Sequence, residues 1–311
     1  MLRRMSSLNP FPSGSPLHPP APSRPNLPAW NAAGPQVNAQ EHVEPGTGLA
    51  LALTIGGALL LANCILFAFA GMRAVPPQQQ ASNGAGGVLG ALFSILLIAV
   101  ALLVPAYFAV RKAKAILRAT ALRAGPRQFP ELHACAAEFA RRLGLAEAPE
   151  LFVLDAGQVN AFALRFRRRN MVVLSDETVA ACLEGRSCGA LAFVIAHEIA
   201  HVALGHTSWW RLLARRNRKL SRLDECSADN VACALVGARD AALDGVLLLS
   251  AGPRLLPFVD RAAALEQAAE IVADPASARV ERGLTHPLTL RRLQRVAQRF
   301  GEQPFARRAA A

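Results

Sequence analysis

The chain has 311 residues, 52% of them hydrophobic, and 34 Lys and Arg against 22 Asp and Glu give it a net charge of +12. That apolar content excludes a wholly disordered chain, and six cysteines without a CxxC pair exclude a zinc-finger or disulfide-framework protein. The positive excess, carried mostly by arginine, is read as attraction to anionic lipid headgroups and not to nucleic acid, because two long apolar segments sit near the N-terminus.

Residues 1–46 are rich in Pro, Ser, Ala and Asn and poor in aliphatic side chains, so a disordered tail is expected. Residues 47–110 follow as a transmembrane hairpin with spans at about 48–71 and 86–110, neither containing a charged residue. Gly56 and Gly57 would let the two spans pack closely. The linker between them carries only Arg73, whereas Arg111, Lys112, Lys114, Arg118 and Arg123 crowd the second exit. The positive side faces the cytoplasm, which puts the N-terminus and everything after residue 110 inside. In that compartment Cys64, Cys135, Cys182, Cys188, Cys226 and Cys233 are expected to be reduced thiols.

A basic juxtamembrane linker at 111–128 leads to a domain at 129–311, large enough to bury one core. Short β-prone runs at 151–154, 160–164 and 171–174 predict a small antiparallel sheet in a mainly helical, α+β fold. Residues 189–202 read as one uninterrupted helix. An Ala-rich helical run reaches Val236, and an amphipathic helix closes the chain from Leu288 to Phe300. The stretch 246–259 is too short and too broken by Gly252, Pro253 and Pro257 to span a bilayer; it is a core helix, or with Trp209 and Trp210 it rests on the membrane face.

His197-Glu198-Ile199-Ala200-His201 lies on the helix at 189–202. Histidines four apart project from one helical face and can share a zinc ion, and Glu198 beside it can take a proton from a water that the ion has acidified. Catalytic zinc wants a third protein ligand and an open position. A metzincin would place a histidine at 207, where Thr207 stands, and the nearby His206 is off register. Glu225 on the next helix supplies the ligand instead. Asp229, four residues on and so on the same face, can accept the second ring proton of a ligand histidine.

These residues resemble the HtpX-like and CAAX-prenyl-protease family of integral-membrane zinc metallopeptidases. The likeness rests on HEIAH followed by Glu225-x-x-x-Asp229, on Asn160-Ala161-Phe162-Ala163, and on Thr285-His286-Pro287 with Arg292. The resemblance implies a zincin-like metallopeptidase domain with one zinc on His197, His201 and Glu225, and Glu198 as general base. It also implies that Asn160, Ala161, Phe162 and Ala163 border the cleft as an edge strand pairing with extended substrate, and that His286 and Arg292 lie near the reacting carbonyl. An edge strand binds any peptide backbone, which suits protein and peptide substrates of many sequences. The chain departs from the family where Leu164 and Arg165 replace a glycine and open a basic hairpin at 165–169. No apolar span lies between Val202 and Asp224, and Cys226 stands where a polar anchor is expected.

The expected protein is therefore a membrane-anchored zinc endopeptidase acting on misfolded or membrane-associated proteins, placed by the resemblance in a bacterial inner membrane. The alternative is an inactive relative that holds clients in the same groove. Oligomeric state is not readable from the residues.

Overall fold

The structure, a computed structural model, describes residues 33–71, 93, 104–105, 107–108, 111–112, 114–166, 169–183, 188–208, 211 and 217–301. The first expected span is helical: α1 runs Thr47–Gly71, and Leu49, Leu53, Leu59 and Leu60 are each about two-thirds exposed. Most of the second, 86–110, lies outside the described residues, as do Trp209, Trp210, Arg167 and Arg168; Phe93, Tyr107 and Phe108 are described and exposed.

Four strands form one sheet: β1 Leu122–Arg123, β2 Glu150–Leu154, β3 Ala161–Phe166 and β4 Arg169–Ser175, in the order β1-β2-β4-β3. The sheet is mixed and not antiparallel as expected. β3 and β4 form an antiparallel hairpin with Ala163 opposite Val172, but β2 and β4 run parallel with Phe152 opposite Val173. The reason lies in β4, whose Met171-Val172-Val173-Leu174 is buried on both faces and takes the interior position; continuous apolar runs of this kind belong inside a sheet. β3 is left at the edge.

One face of the sheet packs on α2 (Pro130–Arg142), α3 (Asp176–Leu183) and α4 (Cys188–Ala203) through Leu151, Val153, Val172 and Leu174. The other face, with Phe152, Met171 and Val173, is covered by Leu117 and Ala121 at the end of a helix over 114–120. The linker expected at 111–128 is thus part of the fold, since Leu117 and Ala121 share one helical face and β1 adds a strand. Glu150 fastens this corner, with Arg118 Nη2 at 2.6 Å, Arg169 Nη1 at 3.0 Å and Arg123 Nη2 at 3.5 Å.

α4 is the central helix, buried almost throughout from Ala190 to Ala200. It packs against α5 (Arg218–Val236) and α6 (Arg239–Leu255). Contact with α6 is close because Gly245 has no side chain: a Cβ there would stand 2.4 Å from the Phe193 ring. Arg239–Phe258 is long and apolar enough to cross a membrane, but 44% of its most apolar window is buried in the protein. Leu243, Val246 and Leu248 are core residues, so the segment at 246–259 begins as core helix; after the kink at Gly252 (φ 72°), Leu255 and Phe258 emerge into solvent. α7 (Arg261–Ala273), α8 (Pro275–Arg282) and α9 (Thr289–Arg299) complete the domain, with α9 packed on α6 and α7.

Residues 33–46, expected as part of a disordered tail, are a strap on the domain. Val37 N–H donates to Arg142 O (2.8 Å), a 3-10 turn forms at Ala39–His42, and Glu44 N–H donates to Ser227 Oγ (2.8 Å). Asn230 Nδ2 donates to Glu44 Oε1 (2.8 Å), and Arg295 pairs with the same carboxylate. Composition missed this because the strap is held by backbone and polar contacts, not by an apolar stripe. Residues 1–32 lie outside the described residues.

Candidate active site

On α4, His197 and His201 stand one turn apart with Nε2 atoms 3.2 Å from each other. α5 crosses alongside and brings in Glu225, whose Oε2 lies 3.5 Å from His197 Nε2 and whose Oε1 lies 3.5 Å from His201 Nε2. A tetrahedral zinc with ligands at about 2.0–2.1 Å sets ligand atoms about 3.3 Å apart, and the three side chains gather at close to that spacing, all within 4.8 Å of one another. Among the described residues this is the one group of His, Cys, Asp or Glu gathered for a metal. Its charge agrees with that fit. Burial alone would raise the Glu225 carboxyl and lower the His197 imidazole, but Glu225 is held well below the usual carboxylate range by His197 and His286. His197 is raised to about 10 by Asp229 and Glu225.

Asp229 stands where α5 spacing predicts, with Oδ1 2.9 Å from His197 Nδ1, although off the line of a well-directed N–H···O bond. It is locked by Arg292 of α9, whose Nε and Nη2 donate to its two oxygens at 2.8 and 2.7 Å. Burial would raise Asp229, but the Arg292 guanidinium and His197 pull it down to about 2. Arg292 was expected near the reacting carbonyl. It lies in the wall of the cleft, but two of its nitrogens are committed to Asp229 and the third, Nη1, faces Glu225 Oε2 at 4.0 Å, so its visible work is to hold the ligand set. His286 does reach the site. Its Nδ1 lies 3.3 Å from Glu225 Oε2, which raises its pKa, and two-thirds of its side chain is exposed to the cleft.

Glu198 lies in the wall of the same cleft, buried beside β3, and burial pushes its carboxyl up to about 7. The Ala163 N–H donates to this carboxylate. The outer edge of β3 therefore faces the cleft, and Asn160, Ala161, Phe162 and Ala163 all line it. Asn160 is anchored from behind, since its N–H donates to Ser175 Oγ (2.9 Å) and its carbonyl accepts from Thr178 Oγ1 (3.0 Å). The cleft encloses ≈ 670 Å³, and its lining includes the apolar Phe193, Val194 and Leu249 and the polar Ser221, Asp224 and Thr285.

Sequence alone assigns no role to His206. It is off register as a metal ligand, yet its Nδ1 lies 2.8 Å from His201 Nδ1, and its Nε2 lies 3.3 Å from Asp224 Oδ1. Arg211 Nη2 donates to that same oxygen at 3.0 Å. Burial, with the His201 ring beside it, pushes His206 down to about 2. The available signal was Gly205-His206 directly after the helix, a pair that turns the chain back on its last turn.

Glu225, the His197 and His201 rings with Asp229 behind them, and the neighbouring Glu198 make a candidate metal site on the wall of the cleft. A model of Peptidase family M48 matches residues 126–210. That stretch of the chain, from the end of β1 to just past α4, is similar to the family; it contains the edge strand and HEIAH and ends before Glu225. No curated protein and no solved structure matches the chain.

Proposed function

We propose that the protein is a membrane-anchored zinc endopeptidase related to the HtpX-like and prenyl-protease metallopeptidases. The observation that carries this is the convergence of His197, His201 and Glu225 at zinc-compatible spacing, on the same cleft as Glu198 and the open edge of β3. Bound there, zinc supplies Lewis acidity toward a carbonyl and acidifies water. Glu198, desolvated and so poised near neutrality, takes the proton of the attacking water and returns it to the leaving amine. The outer edge of β3 pairs with an extended substrate through main-chain hydrogen bonds, which leaves sequence preference to the pockets. His286 presents its free ring edge to the reacting centre, while Asp229 and Arg292 hold His197.

The substrates are extended segments of misfolded or membrane-associated proteins, and the site sits close to the bilayer. Asn217, which caps α5, donates from Nδ2 to Thr54 Oγ1 of α1 at 2.7 Å. Ser221, one turn further along α5, lines the cleft. The mouth of the site is thus roughly 6 Å along a helix from the point where the apolar α1 docks. With the basic residues at 111–123, this favours a protein of the bacterial inner membrane whose domain lies on the cytoplasmic side, against anionic headgroups.

Glu198→Gln is the decisive variant. It should retain about one zinc per chain while cleavage of unfolded casein falls by at least a thousandfold, as expected when the general base of metal-assisted hydrolysis is lost. Cleavage surviving in this variant would reject Glu198 as base; a wild type that holds zinc and client but never cuts would leave a client-binding protein.

A further inference from the structure

We propose that His206 is a positioning residue for His201: it accepts the His201 Nδ1–H and so fixes the tautomer in which His201 Nε2 faces the metal. This rests on the zinc-site reading above.

Proton bookkeeping carries the assignment. Two Nδ1 atoms 2.8 Å apart can share only one proton, which belongs to one ring or the other. A His201 that holds the metal through Nε2 carries its ring proton on Nδ1, so His206 Nδ1 is the acceptor and the N–H of His206 is on Nε2. The His206 Nε2 lies 3.3 Å from Asp224 Oδ1, an acceptor that Arg211 holds in place at 3.0 Å. The single His206 proton therefore sits on Nε2, toward Asp224, and the proton between the rings comes from His201. His201 Nε2 is left with a lone pair, directed at Glu225 and His197 Nε2. Were the His206 proton on Nδ1, Asp224 would face a second lone pair in a buried site, and His201 would carry its proton where the metal must bind.

The backbone explains why His206 meets His201. Gly205 is in the left-handed region (φ 72°), its N–H donates to Val202 O (3.1 Å), and the His206 N–H donates to His201 O (2.9 Å). This pair of bonds is the Schellman ending of a helix, which brings the residue after the glycine onto the residue five positions before it. That contact is commonly apolar. Here it joins two imidazoles with centroids 5.1 Å apart. Each ligand histidine thus has its own buried Asp–Arg pair behind it: Asp229 with Arg292 for His197, and Asp224 with Arg211, relayed by His206, for His201.

The test measures zinc affinity of the full chain in detergent by competition with a chromophoric chelator, for wild type, His206→Phe and His206→Asn. Asparagine places a carbonyl oxygen near the position of Nδ1 and can still accept; phenylalanine cannot. We expect affinity to fall about 10- to 100-fold in His206→Phe, the usual cost of losing such a partner, and to stay within a few-fold of wild type in His206→Asn. A purely structural role would lower the thermal midpoints of the zinc-free variants without separating their affinities. Should the Phe ring prevent folding, His206→Ala carries the same expectation. Wild-type affinity in His206→Phe or His206→Ala, or equal losses with Asn, would overturn the proposal. A wild type that binds no zinc would instead overturn the metal-site reading itself, and this inference with it.

Discussion

His197 and His201 can share an ion only if both rings turn Nε2 inward, and a free imidazole does not favour that tautomer strongly. The residues behind them therefore matter as much as the ligands. Asp229→Asn keeps the shape and removes the charge, and zinc affinity should drop about 10- to 100-fold. The same change leaves Arg292, only 7% exposed, without its carboxylate, a stability loss of about 3 kcal/mol. Chelator competition and thermal unfolding check the two halves, and unchanged zinc affinity would show that Asp229 serves stability alone. At this scale the site was largely legible. Helical spacing gives His197 with His201, and Glu225 with Asp229, directly. His206 and Asp224 were not legible, because their contact depends on a left-handed glycine and a crossing of two helices that spacing along one helix does not describe. Arg292 was placed in the site, but its commitment to Asp229 appears only when α9 packs behind α5.

At the scale of elements, helix periods and β-prone runs located α4, α5, α9 and three of the strands. Strand order is not written in a local pattern, so the parallel pairing of β2 with β4 was missed. The strap at 33–46 and the helix over 114–120 were missed because few apolar residues hold them. Both connect apolar N-terminal segments to the catalytic domain, and Glu150 is central to the second. Burial would raise the Glu150 carboxyl, but Arg118, Arg169 and Arg123 more than offset this, so it titrates below the ordinary value of 4.5. A depressed carboxylate stabilises the fold fully above its unfolded pKa, and that contribution is lost as pH falls through the folded one. Glu150→Gln should therefore cost about 1 kcal/mol near pH 7 and nothing in acid below the depressed pKa of the folded state, where the wild type has lost the same contribution. Denaturant midpoints at the two pH values test this; an equal deficit at both would mean that the loss comes from packing and not from charge.

For the whole molecule, orientation and redox state make opposed demands. The orientation proposed from the basic exit at 111–123 would put the domain in the cytoplasm, where thiols stay reduced. In the structure, however, Cys182 and Cys188 are joined as a disulfide where α3 ends and α4 begins, and Cys135, Cys226 and Cys233 are free thiols. The expectation of reduced cysteines took account of compartment but not of how closely two helix ends approach, with Cα atoms 4.3 Å apart. Burial pushes the three free thiols up to about 12, which makes them unreactive in the folded protein. Acid-quenching cells and then alkylating the denatured protein decides the matter: a cytoplasmic domain yields Cys182 and Cys188 labelled, whereas a bonded pair would contradict that orientation.

The central claim is that two histidines from α4 and one glutamate from α5 hold a hydrolytic zinc. Zinc per chain, measured in detergent without chelator for wild type and Glu225→Ala with casein cleavage followed in parallel, tests it most directly. The account predicts close to one zinc with cleavage in the wild type, and loss of both in Glu225→Ala. Zinc retained at wild-type stoichiometry in Glu225→Ala would contradict it.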